Sequence, residues 1–254
     1  MKSHCVNQAA RIRKEKAWFF ICGAQRAGTT SLYRWLEQSR SIHGINNGVP
    51  EPKILLKSHD FIDEFLNGVK ITGSNNVFLE KATTYIERPR VTKTLARFNN
   101  FKLIFLLRDP AKRAVSNYFF SKANGFESRS LEEAVFGALP RYDKRNISVS
   151  PYNYLARGFY YQMISPFLRY IGRDRIILIN AEKFFLNKQY RADLAVSLGC
   201  SDIQHLKPLW INQIDYDDKM EVDEVIHRLH EYYRKKNLVL AEKLAFDITP
   251  WGEE

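Results

Sequence analysis

The chain has 254 residues, of which 45% are hydrophobic, and it carries a formal net charge of +11. This length is sufficient for one large domain with a buried core, and the hydrophobic content argues against a disordered chain. No apolar run reaches the roughly 18 residues that a membrane-spanning helix needs. Residues 1–16 form a basic arm without the apolar segment of a signal peptide. We therefore expect a single domain over residues 1–254, located in the cytoplasm.

A first phosphate segment (residues 23–31) reads Gly-Ala-Gln-Arg-Ala-Gly-Thr-Thr-Ser, between a predicted strand at 17–22 and an amphipathic helix at about 28–39. Such a turn binds phosphate through backbone N–H groups and the helix N-terminus. The glycine spacing matches a P-loop, but Thr29 stands where nucleoside-triphosphate enzymes carry a lysine. The residues expected to bind phosphate are Arg26, Ala27, Gly28, Thr29, Thr30 and Ser31. An ordinary helix cap by Thr29 or Thr30 is the alternative.

The remaining elements alternate between strands and helices. Strands are predicted at about 77–80, 102–107 and 175–179, and helices at about 61–69, 88–98, 110–122, 131–138, 151–171, 189–198 and 222–244. This order predicts an α/β fold with a central parallel sheet of about five strands, flanked by helices. Ligands of such sheets bind at the carboxyl ends of the strands.

A second phosphate segment (residues 108–116) follows the strand at 102–107. Arg108 lies at the strand end, a proline opens the next helix, and Ser116 comes about two turns later. An arginine fork and a serine hydroxyl can bind one phosphate together. Residues 88–122 contain nine basic residues and one acidic residue, a local charge of +8. This local charge favours an anionic partner.

The two segments, in this order, resemble those of sulfotransferases that use 3′-phosphoadenosine 5′-phosphosulfate (PAPS). The resemblance implies that the first segment binds the 5′-phosphosulfate and that Arg108 and Ser116 of the second bind the 3′-phosphate. The motifs are most similar to those of the heparan-type O-sulfotransferases. Residues 26–30 stand where the family usually has Lys-x-Gly-Thr-Thr, residues 80–85 resemble its Glu-Lys-Thr-Pro-Ser-Tyr, and the resemblance covers most of residues 17–251. It implies a P-loop-like PAPS-binding core and a soluble bacterial-type enzyme. The reaction would transfer a sulfuryl group to the hydroxyl of a sugar or small natural-product alcohol without a metal.

Catalytic roles follow from the same resemblance. Residues 50–53 read Pro-Glu-Pro-Lys and resemble the family's Lys-Glu-Pro-His, in which the glutamate is the base, so Glu51 is the candidate base. An ion pair of Glu51 with Lys53 or Lys57 is the alternative, and His59 is the second candidate base. A carboxylate near lysines can accept a hydroxyl proton.

Two cations complete the expected catalytic set. Arg26 replaces the family's lysine and would stabilise the leaving oxygen, but a guanidinium cannot release a proton. Lys81 would face the sulfuryl group or the acceptor, with Glu80 as the buried partner that orients it.

The last candidate residues lie near the C-terminal helix. Trp210 either stacks on adenine or is an ordinary structural tryptophan. Relatives carry a basic loop over the nucleotide, whereas residues 215–218 here are mostly acidic, and only Lys219 would reproduce that contact. The segments 123–150 and 211–221 are candidate acceptor-side loops, and the acidic run favours a neutral or cationic acceptor, or an unsulfated sugar, over heparan sulfate.

Two other functions stay open at this point. A small-molecule P-loop kinase is disfavoured by the missing lysine after Gly28 and by the lack of an evident aspartate for magnesium. A nucleic-acid-binding protein would suit the basic charge, but no recognition motif is present. The sequence does not specify the oligomeric state.

Overall fold

The computed structural model describes residues 2–46, 48–69, 77–140, 152–211 and 219–252, with side chains from residue 8 onward. Five strands in this part of the chain form one sheet in which all pairings are parallel. They are β1 (Ala17–Gly23), β2 (Ile42–Gly44), β3 (Val77–Lys81), β4 (Asn100–Leu107) and β5 (Ile176–Asn180), in the spatial order β2-β3-β1-β4-β5. The predicted α/β fold with a parallel sheet of about five strands is confirmed.

Helices flank this sheet. The α-helices of the described residues are α1 (Lys2–Glu15), α2 (Thr29–Leu36), α3 (His59–Asn67), α4 (Val91–Leu95), α5 (Pro110–Ala123), α6 (Leu131–Phe136), α7 (Tyr160–Ile171), α8 (Ala181–Leu186), α9 (Lys188–Ser197) and α10 (Lys219–Leu244). None of the described helices contains a stretch long and apolar enough to cross a bilayer.

The central strands are buried because both faces of the sheet are covered. In β1 the burial extends over six consecutive residues from Trp18 to Gly23, which is typical of parallel strands and explains their continuous apolar sequence. The Trp18 ring stacks on Phe78 of β3 at 5.1 Å between ring centroids. Aromatic packing of this kind ties β1 to its neighbour in the core.

Several element boundaries differ from the predictions. The edge strand β2 was not located from the sequence, because three residues are too few to show an alternating pattern. The helix predicted at 88–98 contracts to α4, the one predicted at 28–39 ends at Leu36, and the basic arm forms α1. Residues 141–151 and 212–218 of the two candidate acceptor-side loops lie outside the described residues.

The order of the strands determines where the predicted phosphate segments and Lys81 lie. Because β1 lies between β3 and β4, the loops after these three strands leave the sheet side by side at its carboxyl edge. These loops carry the first phosphate segment, Lys81 and the second phosphate segment. Helix α10 packs on α5 and therefore lies beside the second segment.

Candidate active site

The first phosphate segment turns sharply between β1 and α2. Arg26 and Gly28 have positive φ angles, 66° and 93°, and Gly28 is the N-cap residue of α2. Glycine is required here, because a Cβ at residue 28 would lie 2.7 Å from the Phe185 ring. The helix has no side-chain cap, so the alternative of an ordinary cap by Thr29 or Thr30 is not found. The first N–H groups of a helix lack intrahelical acceptors and are available to an anion.

Arg26 joins the two phosphate segments. Its Nε donates a hydrogen bond to Ser116 Oγ at 3.2 Å, and its carbonyl oxygen accepts one from Arg108 Nη1 at 3.1 Å. Its Cζ lies 4.7 Å from the centroid of the Phe120 ring. Arg26, Arg108 and Ser116, which the sequence predicts to bind two phosphates of one ligand, therefore meet in one cluster.

The backbone that carries Arg108 is fixed by buried side chains. Tyr160 Oη donates to the Arg108 carbonyl at 2.7 Å, and the Asp109 N–H donates to Glu182 Oε1 at 3.1 Å. Trp251 Nε1 donates to the other oxygen of Glu182 at 2.9 Å, so the C-terminal 3-10 turn supports this strand end. Burial raises the pKa of the Glu182 carboxyl.

Asp109 caps the helix that carries Ser116. Its carboxylate is fully buried, accepts a hydrogen bond from the N–H of Ala111 at 2.8 Å, and lies 2.9 Å from His230 Nε2 on α10. A carboxylate at the N-cap satisfies N–H groups of the first turn and suits the helix dipole. The second phosphate segment therefore has a rigid backbone at both ends of its turn.

A cavity of about 270 Å³ opens between the starts of α5 and α10. Its lining consists of Arg108, Lys112, Lys219, Val222, Asp223 and Ile226. Three cations against one carboxylate give the cavity a positive balance, which suits an anion. Lys219 and Arg108 were both predicted to bind the nucleotide, and the structure places them on the same cavity.

Glu51 is held by hydrogen bonds that converge on one of its oxygens. Oε1 accepts from Lys81 Nζ at 3.2 Å, from the Thr83 N–H at 3.1 Å and from Thr83 Oγ1 at 2.8 Å. The side chains of Lys81 and Glu51 are 8% and 19% exposed. The partner of Glu51 is thus Lys81, not Lys53 or Lys57 as in the alternative interpretation.

Glu51, Lys81 and Thr83 form a cluster, called the Glu51 cluster, that lies against the first phosphate segment. A Cβ at Gly23 would be 3.2 Å from the Thr83 carbonyl oxygen, so the start of the segment contacts the residue that holds Glu51. The Ala82 N–H also donates to the Ile21 carbonyl at 3.0 Å. The predicted base and the predicted phosphate turn therefore share one edge of the sheet.

Glu80 was predicted to be the partner of Lys81, but the two side chains do not make contact. Successive strand residues point to opposite faces, and Glu80 points into the core, where it is fully buried. It accepts hydrogen bonds from Tyr85 Oη at 2.8 Å and from the Ile54 N–H at 3.1 Å, and Tyr85 Oη accepts from the Leu55 N–H at 2.9 Å. Burial raises the pKa of the Glu80 carboxyl to about 7. Glu80 fixes the turn that follows Glu51.

Trp210 forms an aromatic pair beside the first phosphate segment. Its ring stacks on Phe185 with centroids 3.9 Å apart, and the residue is 51% exposed. The next residue, Ile211, donates its N–H to Ser31 Oγ at 3.2 Å, so Trp210 is tied to the first turn of α2. Sequence reasoning missed Phe185, because an aromatic residue on a short helix carries no signal for a site.

His59 is the first residue of α3 and is exposed. Among the described residues, no hydrogen bond or ion pair joins it to Glu51 or Lys81. Within the same part of the chain, no group of three His, Cys, Asp or Glu side chains is placed to hold a metal ion. Other residues that sequence reasoning missed are Thr83, Phe120, Tyr160 and Glu182.

The chain is similar to known proteins over most of this site. Residues 17–191 match the family model described as "Sulfotransferase domain". The chain is 25% identical over 222 residues to a bifunctional heparan sulfate N-deacetylase/N-sulfotransferase of Drosophila melanogaster, covering 71% of this chain and 20% of that protein. It is 22% identical over 165 residues to heparan sulfate glucosamine 3-O-sulfotransferase 3B1 of Mus musculus, covering 64% of this chain and 40% of that protein.

These matches thus span at most two-fifths of the relatives' own length. A crystal structure of a sulfotransferase from Alicyclobacillus acidocaldarius has the same fold, with a TM-score of 0.69 at 21% identity, covering 94% of this chain and 99% of that one. The family match extends over both phosphate segments and the Glu51 cluster. The chain belongs to the sulfotransferase family.

Proposed function

We propose that this protein is a PAPS-dependent O-sulfotransferase. It transfers the sulfuryl group of PAPS to an acceptor hydroxyl and releases a sulfate ester and adenosine 3′,5′-bisphosphate. The observation that carries the proposal is the junction of the two phosphate segments, in which Arg26 bonds to both Ser116 and Arg108. A ligand with phosphates at two ends of a nucleoside matches two such segments on one edge of a sheet.

The first phosphate segment would bind the 5′-phosphosulfate. Its support is the N-terminus of α2, with a glycine cap and a positive local dipole. Arg26 would lie beside the oxygen that bridges phosphorus and sulfur and stabilise the charge that develops there. Because a guanidinium stays protonated, Arg26 acts through its charge and its hydrogen bonds, not as an acid.

The second phosphate segment would bind the 3′-phosphate. Arg108 and Lys219 line the same cavity, and Ser116 accepts a hydrogen bond from Arg26 of the first segment. Trp210 would stack on adenine, since about half of its surface is exposed beside the first segment. These assignments give each predicted donor-binding residue a place along one ligand.

Glu51 would be the general base. All three hydrogen bonds that it accepts from described residues end on Oε1, which leaves Oε2 to accept a proton. In the in-line step the acceptor oxygen bonds to sulfur, and the bond from sulfur to the bridging oxygen breaks. The hydroxyl proton passes to Glu51, and the electron pair of the broken bond stays on the nucleotide phosphate. Lys81 holds the base and faces the transferred group.

The acceptor is proposed to be the hydroxyl of a sugar or a small natural-product alcohol. The names of the two relatives include heparan sulfate, which supports a carbohydrate. The acidic run at 215–218, which favours a neutral or cationic acceptor over a polyanion, lies outside the described residues. We propose a cytoplasmic location and a single domain on the sequence observations alone.

Calorimetry followed by a transfer assay tests the proposal. Adenosine 3′,5′-bisphosphate should bind, whereas ATP with magnesium should bind weakly or not at all. Labelled PAPS is then incubated with heparan sulfate, an unsulfated polysaccharide and a panel of neutral and cationic alcohols at equal concentration. Preference for ATP would favour a kinase. Binding of nucleic acid without sulfuryl transfer would favour a nucleic-acid-binding protein. Sulfation of heparan sulfate alone would contradict the preference for a neutral or cationic acceptor, or an unsulfated sugar.

A further inference from the structure

Phe120 lies on α5 one turn beyond Ser116, and both side chains face Arg26. The Arg26 Cζ is 4.7 Å from the centroid of the Phe120 ring, and Arg26 Nε donates to Ser116 Oγ at 3.2 Å. Residues four positions apart on a helix share one face, so α5 presents a ring and a hydroxyl to the same guanidinium. Phe120 is 36% exposed, so this ring lies at the surface of the site and not in the core.

The two contacts constrain different motions of the guanidinium. The hydrogen bond at Nε fixes its position but permits rotation about that bond. A ring below the planar group favours parallel contact and so limits this rotation, and the attraction between cation and ring adds to the effect. Together they fix the plane in which the terminal nitrogens lie.

We propose that Phe120 is a positioning residue for Arg26 and orients the guanidinium toward the bridging oxygen of the sulfuryl donor. This inference rests on the proposed function. A lysine ammonium is a compact charge without a plane and gains little orientation from a ring, whereas a planar guanidinium stacks on one. Arg26 and Phe120 therefore act as a pair.

A double-mutant cycle tests this pairing. Phe120→Leu should lower kcat about 3- to 30-fold, the range for loss of one cation–ring contact, with little change in KM for PAPS. Phe120→Tyr keeps a ring and should retain most of the turnover. In an Arg26→Lys background the additional loss from Phe120→Leu should be less than about 2-fold, because the planar partner is already absent. Phe61→Leu, at another exposed phenylalanine that also contacts a cation, Lys57, is the control.

Two results would overturn the inference. One is an equal fold-loss from Phe120→Leu in the wild-type and Arg26→Lys backgrounds, because Phe120 would then act on something other than the guanidinium. The other is wild-type turnover in Phe120→Leu. The same cycle measured by urea unfolding reports whether the contact exists, whatever the reaction is. Coupling in unfolding with no transfer from PAPS in the wild type would refute the proposed function but not the contact.

Discussion

The two halves of the candidate site are built in different ways. The donor half, formed by the two phosphate segments, relies on backbone N–H groups at the start of α2 and on guanidinium groups. The base half relies on carboxylates: Glu51 is held by Lys81 and Thr83, and Glu80 fixes the turn behind it. A change of charge in the donor half should therefore act mainly on ligand binding. The base half should respond through proton transfer and pH.

The base half should show the largest effect on turnover. Glu51→Gln keeps an oxygen for Lys81 and Thr83 but cannot accept a proton, so kcat should fall about 10²- to 10⁴-fold while binding of adenosine 3′,5′-bisphosphate is retained. Steady-state kinetics and calorimetry measure the two quantities. Glu64→Gln, at an exposed position on α3, is the matched control. Near wild-type turnover in Glu51→Gln would show that another group is the base, and His59 would be the next candidate.

The donor half should show the largest effect on ligand binding. Arg108→Ala removes a charge from the cavity and the hydrogen bond to the Arg26 carbonyl. Binding of adenosine 3′,5′-bisphosphate should weaken by about 2–4 kcal/mol, the scale for losing one partner of a desolvated charge pair. Arg169→Ala, which removes an exposed charge at the end of α7, should leave calorimetric affinity unchanged. Equal affinities in the two variants would show that Arg108 does not bind the phosphate.

Glu80 should make stability depend on pH. Its folded pKa of about 7 lies above the ordinary 4.5, so the folded protein binds this proton more tightly than the unfolded chain does. The free energy of unfolding should therefore fall as pH rises from about 4.5 to 7 and then level off, by up to about 3 kcal/mol for this shift. Glu80→Gln should remove this fall in urea unfolding at pH 5, 6, 7 and 8. A wild-type slope in the variant would place the titrating group elsewhere.

The smallest expected effect concerns the edge of the donor half. Trp210→Ala should weaken binding of adenosine 3′,5′-bisphosphate by about 1–3 kcal/mol, the range for stacking of one base. We expect the lower end because the ring already stacks on Phe185 and is 51% exposed. Tyr170→Ala is the control, since Tyr170 is an exposed aromatic residue on α7. Full affinity without Trp210 would make it an ordinary structural residue.

Sequence reasoning reached the donor half more completely than the base half. Residues 23–31 and 108–116 are continuous segments that can be compared directly with the family's phosphate-binding motifs, and the structure brings Arg26, Arg108 and Ser116 together. The base half depends on contacts between residues about 30 positions apart, such as Glu51 with Thr83, which no local pattern encodes.

Glu80 was assigned to the wrong partner although its burial was predicted correctly. Strand alternation places Glu80 and Lys81 on opposite faces, and applying that rule would have corrected the assignment. Phe120 and Phe185 were missed for a different reason. An aromatic residue on a helix has the same sequence signature whether it packs in the core or contacts a loop from another element.

The hydrogen bond from Arg108 to the Arg26 carbonyl has a consequence for nucleotide discrimination. It joins loops 82 positions apart in the chain and sets the span between them. If each loop binds one phosphate, the distance between the two loops selects a ligand whose phosphates have the matching spacing across the ribose. A nucleotide with its second phosphate on the 2′ instead of the 3′ oxygen presents the same charge at a different spacing. The protein would reject it by length alone.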